Sequence, residues 1–273
     1  MNEWKAAVGR ITLFPTATVL SSPPSALDLY KRVWGGDPDN FQRQANPLMP
    51  TVAQGKRGGI TASCFVHPVR IDFNLTPTSP PHEITQLSFP LIEDTTQLHT
   101  ELARIMDDIG QGLVSGSVVR VALNVQFLAM RPSPVEANKT LTSIIPSKYG
   151  VKITDEEDFI FQINRPYASR EVRSVKMNSL TKWSVDRLQV FTMAIPMGGA
   201  LGPAPANITS GGNRQGAEYI AASVTIDNNN VPVDAISSAQ QSSLLHEALI
   251  AAAQTQQDIG LNIEGFQNAE PSQ

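Results

Sequence analysis

The stretch SVVRVALNVQFLA, residues Ser117–Ala129, contains the clearest secondary-structure signal in the chain. Its apolar residues alternate with more polar ones, which is the two-residue period of a β-strand with one buried and one solvated face. The apolar set is Val119, Val121, Leu123, Val125 and Phe127, and the opposite set is Arg120, Ala122, Asn124 and Gln126. Such strands are typical of antiparallel sheets, so the sequence predicts an α+β fold and not a doubly wound parallel sheet.

Similar alternation on both sides of this stretch predicts further strands. The predicted strands are Arg10–Leu20, Ile60–Val66, Val69–Leu75, Ile84–Ile92, Phe159–Arg165, Leu180–Ile195 and Tyr219–Asp227. The parity of the apolar residues reverses at His67-Pro68, which predicts a turn or bulge there. The segments without periodicity are predicted as loops or turns, namely Asp37–Gly59, Asp155–Asp158, Pro196–Gly216 and Asn228–Asn230.

Helices are predicted where a capping residue precedes apolar residues at helical spacing. Ser22 followed by two prolines predicts one helix start, and Gly35-Gly36 predicts its end. Asp94 begins a second helix with an apolar stripe that Gly110 closes. The other predicted starts are Ser133-Pro134, for a short helix in a connector, and Ser237 or Ser238, for a long terminal helix.

Two predicted helices share a short pattern. Leu98–Leu102 reads LHTEL and Leu245–Leu249 reads LHEAL, and each is followed by an Asp-Ile-Gly sequence. This echo predicts an internal duplication, in which two similar lobes each contain an antiparallel sheet of long strands followed by an amphipathic helix. The alternative is that two unrelated amphipathic helices share a common pattern. The predicted divisions are an N-terminal lobe at 1–131, a connector at 132–158, a C-terminal lobe at 159–266 and a tail at 267–273.

Composition excludes several classes of protein. The chain has 273 residues, of which 41% are hydrophobic, and a formal net charge of −4, so it is not a disordered chain. Its apolar stretches are shorter than the roughly 18 residues of a membrane-spanning helix. The charged N-terminal residues predict no secretory signal, and we therefore expect a cytoplasmic protein that does not associate with a membrane. The single cysteine excludes a disulfide framework.

Charge is unevenly distributed along the chain. The last 59 residues contain seven acidic residues and no lysine or arginine. Residues 165–187 contain six basic residues against two acidic ones, together with an interleaved tryptophan, which is the composition of an anion-binding or partner-binding surface. The candidate binding residues are Arg165, Arg170, Arg173, Lys176, Lys182, Trp183 and Arg187. The alternative is a solvated hairpin that pairs with the acidic C-terminal part of the chain.

The residues that perform common catalytic chemistries do not converge in this sequence. Cys64 and His67 lie three positions apart on a predicted strand, so they face opposite sides unless a bulge redirects the histidine, and we expect Cys64 to be a core residue. Gly110–Gly116 lacks the dinucleotide-binding spacing, and Gly198–Gly216 lacks a P-loop. The sequence therefore predicts no catalytic residues, no metal site and no cofactor.

The second half of the chain resembles a known group of proteins. The strings NRP at Asn164–Pro166, LTKWS at Leu180–Ser184 and ASVTID at Ala222–Asp227 precede a long terminal helix. In these features the chain is similar to a sporadically distributed, uncharacterised bacterial family that is associated with mobile or defence gene neighbourhoods. The resemblance implies a cytoplasmic accessory protein and supplies no catalytic residues.

Three functions from different classes follow from these observations. The first is a non-enzymatic interaction protein, an accessory or adaptor that binds a protein partner or forms a homo-oligomer, most simply a dimer. The second is a nucleic-acid or nucleotide binder that uses the basic stretch at 165–187. The third is a cysteine-dependent enzyme that uses Cys64.

Overall fold

The alternating stretch at 117–129 forms a long strand in the middle of an antiparallel sheet. The computed structural model describes residues 4–16, 24–43, 49–78, 89–114, 117–153, 159–191, 216–261 and 263. The strands are β1 (Lys5–Pro15), β2 (Asn40–Gln42), β3 (Thr51–Arg57), β4 (Ile60–Val66), β5 (Ile71–Pro77), β6 (Val118–Arg131), β7 (Ile160–Ala168), β8 (Lys176–Phe191) and β9 (Gly216–Asn230). The helices are α1 (Ala26–Trp34), α2 (Thr95–Gly110), α3 (Pro134–Ile144) and α4 (Ser238–Asp258), with a short 3₁₀ turn at Ser147–Tyr149.

All nine strands belong to one continuous sheet in the order β2-β3-β4-β5-β1-β6-β9-β8-β7. Every neighbouring pair is antiparallel, and β1 and β6 pair with each other at the centre. The order outward from this pair is β5, β4, β3 and β2 on one side and β9, β8 and β7 on the other. The α+β class and the large antiparallel sheet are therefore confirmed, whereas the division into two lobes remains a prediction.

The helices of the described chain pack on one face of the sheet. A Cβ built on Gly9 of β1 meets Leu98 and Leu102 of α2, and Gly55 of β3 lies against α1. Arg131 at the end of β6 donates to the Thr140 hydroxyl of α3. The Asn228 amide of β9 donates to the carbonyl of Ala248 in α4. We call this side the helix face, and the opposite side the open face.

Helix boundaries follow the capping chemistry that the sequence predicts. Asp94 accepts the backbone N–H of Gln97 at the start of α2, and Ser133 accepts the backbone N–H of Glu136 at the start of α3. Ser237 begins α4 with a reciprocal capping box, which satisfies two otherwise unpaired donors. The start of α1 differs from the prediction, because Ser25 and not Ser22 caps the helix; Ser22 lies outside the described residues.

The prediction of one long loop at Asp37–Gly59 was wrong, because the segment contains β2 and β3. The helix-face positions of β3 are occupied by Ala53 and Gly55, which are too small to produce a recognisable apolar alternation. At Gly55 a side chain is excluded because Tyr30 of α1 occupies the space that a Cβ would need. The predicted loop at 196–216 lies outside the described residues except for Gly216, as does the acidic turn at 155–158. The predicted strand at 84–92 is described only from residue 89, where Ile92 pairs with Ala6.

Asn228–Asn230 was predicted as a turn, but these residues continue β9. All three asparagines are buried: the Asn228 amide donates to the carbonyl of Ala248 in α4, the Asn229 amide donates to Asp227, and the Asn230 side chain bonds to the backbone of β6. The Asn230 Oδ1 accepts the backbone N–H of Val121 at 2.6 Å, just beyond the last paired residue of β6 and β9. Asparagine is a turn-forming residue because its amide mimics the backbone, and here the same property extends a strand.

Gly55 provides a test of the packing of α1 on the sheet. A Cβ at this position collides with the Tyr30 hydroxyl oxygen and lies 3.2 Å from the Asp39 backbone nitrogen. We expect Gly55→Ala to lower the free energy of unfolding by about 1–3 kcal/mol, measured by urea denaturation. Gly36→Ala is the control, because the nearest atom to its Cβ is 3.7 Å away, and its effect should stay within about 0.5 kcal/mol. Equal effects of the two variants would contradict this packing.

Candidate functional site: the β7 edge, the basic turn and the open face

The basic stretch at 165–187 forms a hairpin of β7 and β8, but the structure does not gather its side chains into one surface. Arg165 lies on the helix face, where it donates to the Tyr149 hydroxyl and lies 5.7 Å from the centre of that ring. Lys182 pairs with Thr225 and therefore lies on the open face. Arg187 is exposed and forms an ion pair with Glu218 at 3.5 Å. Glu218 belongs to the acidic C-terminal part of the chain, so this ion pair is one contact of the kind that the solvated-hairpin alternative predicts.

Trp183 is fully buried, although the sequence suggested it as an exposed binding residue. Its ring stacks on Phe161 of the neighbouring strand with ring centres 5.6 Å apart. It also pairs with Val224 of β9, which is buried as well. Trp183 is therefore part of the core, and the alternation of β8 explains why: Lys182 faces one side of the sheet and Trp183 the other.

Three of the candidate residues do cluster, at the turn that joins β7 to β8. Arg170, Arg173 and Lys176 are exposed, and we call them the basic turn. Glu247 of α4 holds the backbone of this turn by accepting the Ser169 hydroxyl at 2.5 Å and the Arg170 backbone N–H at 3.0 Å. The Ser169 hydroxyl oxygen in turn accepts the Val172 backbone N–H. An acidic residue of the terminal helix thus fixes the position from which three cations project.

Strand β7 is the last strand of the sheet, and no described strand pairs with its outer side. Its nine residues alternate between exposed and half-buried positions along their whole length. The exposed positions are Ile160, Gln162, Asn164, Pro166 and Ala168. Ile160 is 70% exposed, the highest value among the large apolar residues of the described chain. The opposite edge, β2, has three residues only.

The open face carries a row of directly paired side chains across the sheet, polar on every strand except β8, and the sequence alone did not reveal it. Directly paired residues in this row come from all nine strands: Asn40, Gln54, Ser63, Asn74, Arg10, Asn124, Asp227, Leu180 and Asn164. The alternation of each strand signalled which residues face solvent, but only the strand order places them side by side. A depression of about 590 Å³ lies over this row near Arg10.

A second groove runs between α2, α4 and the β7–β8 hairpin. His246 of α4 contacts Asp107 of α2 at 3.1 Å, and His99 lies half-buried nearby. Burial lowers the pKa of His99, and the neighbouring His246 lowers it further. Burial also raises the pKa of Tyr167 to about 12. His99 and His246 occupy the same position in the two LHxxL sequences, and both line this groove.

Cys64 lies in the core, as the sequence predicted. It is fully buried, and burial raises the pKa of its thiol, which disfavours the reactive thiolate form. His67 contacts the buried Asp72 carboxylate at 3.1 Å, and Asp72 also accepts from Thr12 and from the partly exposed Arg70. The structure therefore gives no support to a Cys64–His67 pair.

Within the described ranges, no three metal-binding side chains come together. None of the helices there combines the length and apolar character that crossing a membrane requires. Comparison with known proteins found no matching family profile, curated protein or solved structure. The resemblance to the sporadically distributed bacterial family therefore remains a prediction.

The burial of Trp183 has a measurable consequence. We expect Trp183→Ala to lower the free energy of unfolding by about 3–5 kcal/mol in urea denaturation, because it removes a large buried ring. Phe41→Ala is the control, since Phe41 is 41% exposed on β2 and its loss should cost far less. A Trp183→Ala protein as stable as Phe41→Ala would show that the ring lies outside the core.

Proposed function

We propose that this chain is a non-enzymatic interaction protein that self-associates through the outer edge of β7. The observation that carries this proposal is the unpaired edge itself. Its row of backbone N–H and C=O groups is a template for a further strand, and a second copy of the chain supplies the same strand. Two copies paired in this way form a closed dimer with two-fold symmetry.

The contrast between the two edges of the sheet supports the proposal. Natural proteins protect an exposed edge by making it short, by charging it or by placing proline in it. The β2 edge follows the first rule, with three residues. The β7 edge has nine residues and no lysine, with Ile160 strongly exposed at its start. The residues of β7 that oppose strand pairing are Arg165 and Pro166; both lie toward the end of the strand, and the Arg165 side chain is held against Tyr149 on the helix face.

Charge placed on this edge tests the proposal. We expect wild-type protein to have the mass of a dimer in light scattering, and the double variant Ile160→Lys/Gln162→Lys to have the mass of a monomer. Both positions are exposed, so the lysines should leave the fold intact while repelling the same residues of a second copy. Far-UV circular dichroism should match the wild type.

The matched control is Val69→Lys/Gln111→Lys, which places two lysines at exposed positions outside β7, one just before β5 and one just after α2. This variant should remain a dimer. A wild-type monomer at every protein concentration would contradict the proposal. So would a control that dissociates as readily as the edge variant.

A second candidate function is nucleic-acid binding by the basic turn. The specific observation is that Arg170, Arg173 and Lys176, with Glu171 the one acidic residue among them, are exposed on a turn whose backbone Glu247 holds in place. Basic side chains of this kind bind phosphates and give affinity that falls steeply with salt. Trp183 does not contribute a stacking surface, because it is buried.

Charge reversal tests this second candidate. If the turn binds single-stranded DNA, Arg170→Glu/Arg173→Glu should reduce affinity and lower the slope of log K against log salt by about 1.4, since two phosphate contacts are lost. Arg43→Glu/Lys152→Glu is the control, with the same charge change at exposed positions elsewhere. Wild-type protein that binds no oligonucleotide at low salt, measured by fluorescence anisotropy, would rule out this function.

We also propose that the chain arose by internal duplication and acts as a cytoplasmic accessory protein of a bacterial defence or mobile-element system. The order of elements supports the duplication. The series β1, α1, β3, β4, β5, α2 has the same succession and pairing order as β6, α3, β7, β8, β9, α4. A main-chain superposition of the two series that aligned only β1 with β6 would contradict the duplication. A protein secreted when expressed from its own gene would contradict the cytoplasmic location.

A further inference from the structure

Arg10 occupies the centre of the open face. It lies on β1, the fifth of nine strands, and pairs with Asn74 of β5 on one side and Asn124 of β6 on the other. The depression of about 590 Å³ opens above it. A volume of this size is in the range of small-molecule binding sites.

The guanidinium of Arg10 has no partner among the described residues. Its Nε is buried and donates to no acceptor there, although a buried donor is normally paired. The described carboxylates of the open face are already engaged. Asp72 accepts from Thr12 and Arg70, Asp186 accepts from Gln126 and Ser184, and Asp227 accepts from Asn229. Among the described residues, none of these carboxylates forms an ion pair with Arg10.

The other walls of the depression favour a ligand with hydroxyl groups. Amide and hydroxyl side chains dominate the lining, no carboxylate is present in it, and Phe65 provides an aromatic surface. The amides of Gln54, Asn74 and Asn124 have no hydrogen-bond partner among the described residues, so they are available to both donors and acceptors. Hydroxyl groups that both donate and accept suit such a surface.

We propose that this depression binds a small hydroxyl-rich anion, a sugar phosphate or a sugar acid, with its oxyanion paired to the Arg10 guanidinium. Arginine is suited to this role because its planar donors match the oxygens of phosphate and carboxylate. The neighbouring amides and hydroxyls hydrogen-bond the sugar hydroxyls, and the ring of Phe65 lies against the carbon skeleton. This site is separate from the β7 edge and does not depend on the self-association proposed above.

Three matched probes test the proposal by isothermal titration calorimetry on the full chain: glucose, glucuronate and glucose 6-phosphate. We expect one or both of the anions to bind and neutral glucose to bind at least about tenfold more weakly, because a charge-assisted contact is absent. Preference between glucuronate and glucose 6-phosphate identifies the oxyanion as carboxylate or phosphate. Inorganic phosphate at the same concentration should compete for the Arg10 contact.

The variant Arg10→Gln should weaken binding of the preferred anion by about tenfold to a hundredfold. Arg120→Gln is the control, since Arg120 lies on the same face outside the depression and over the Phe14 ring at 5.2 Å. It should bind as the wild type does. Circular dichroism and the unfolding midpoint show whether each variant is folded.

The proposal is overturned if neither anion binds to folded wild-type protein, or if Arg10→Gln binds as tightly as Arg120→Gln. It is also overturned if a single-stranded oligonucleotide binds through Arg10 while glucose 6-phosphate does not, because the open face is then a nucleic-acid surface. Self-association is measured separately by light scattering, so loss of the dimer in the edge variant leaves this result unaffected.

Discussion

The antiparallel pairing of β1 with β6 is the constraint on which the rest of the structure depends. Ten residue pairs, from Lys5 with Leu128 to Pro15 with Val118, join the two sets of strands into one sheet. Their register places Ile11 and Leu123 toward the helices and Arg10 toward the opposite side. Because side chains alternate with a period of two, a shift by one residue would exchange the two faces. The register of this one strand pair therefore determines both which residues enter the core and which residues form the candidate binding surface.

The two faces satisfy different physical requirements. On the helix face, apolar side chains from strands and helices form one core, and small residues at Gly9 and Gly55 let the helices approach the sheet closely. The open face has no described helix over it, so its side chains must interact with one another or with solvent. Asp72, Thr12 and Arg70 form such a network near one end of β5. Arg10 has no comparable partner among the described residues, and unlike Arg120, whose guanidinium lies over the Phe14 ring, it faces the depression.

The surfaces proposed for binding differ in the groups that they offer. The β7 edge offers backbone donors and acceptors, which can pair with another strand largely independently of that strand's sequence. The basic turn offers cations, held in position by Glu247. The open face offers side-chain amides, hydroxyls and one arginine, which suit a ligand with specific hydrogen-bonding groups. The depression over Arg10 is lined by residues of β1, β3, β4, β5, β6 and β9, so substitutions in β7 or in the basic turn remove no residue that lines it.

Local patterns in the sequence were sufficient to predict the alternation of β6, the caps of α2, α3 and α4, the β7–β8 hairpin, and the burial of Cys64. These features depend on neighbouring residues, and their signals are visible within a short window. Only the tertiary structure decided that Ala53 and Gly55 belong to a strand, that Asn228–Asn230 extend β9, and that Trp183 is buried. It also decided which polar residues meet Arg10, since that depends on the order of nine strands. The physical reason is that strand pairing joins residues far apart in the chain, and a local pattern gives the face of each residue but not its neighbour.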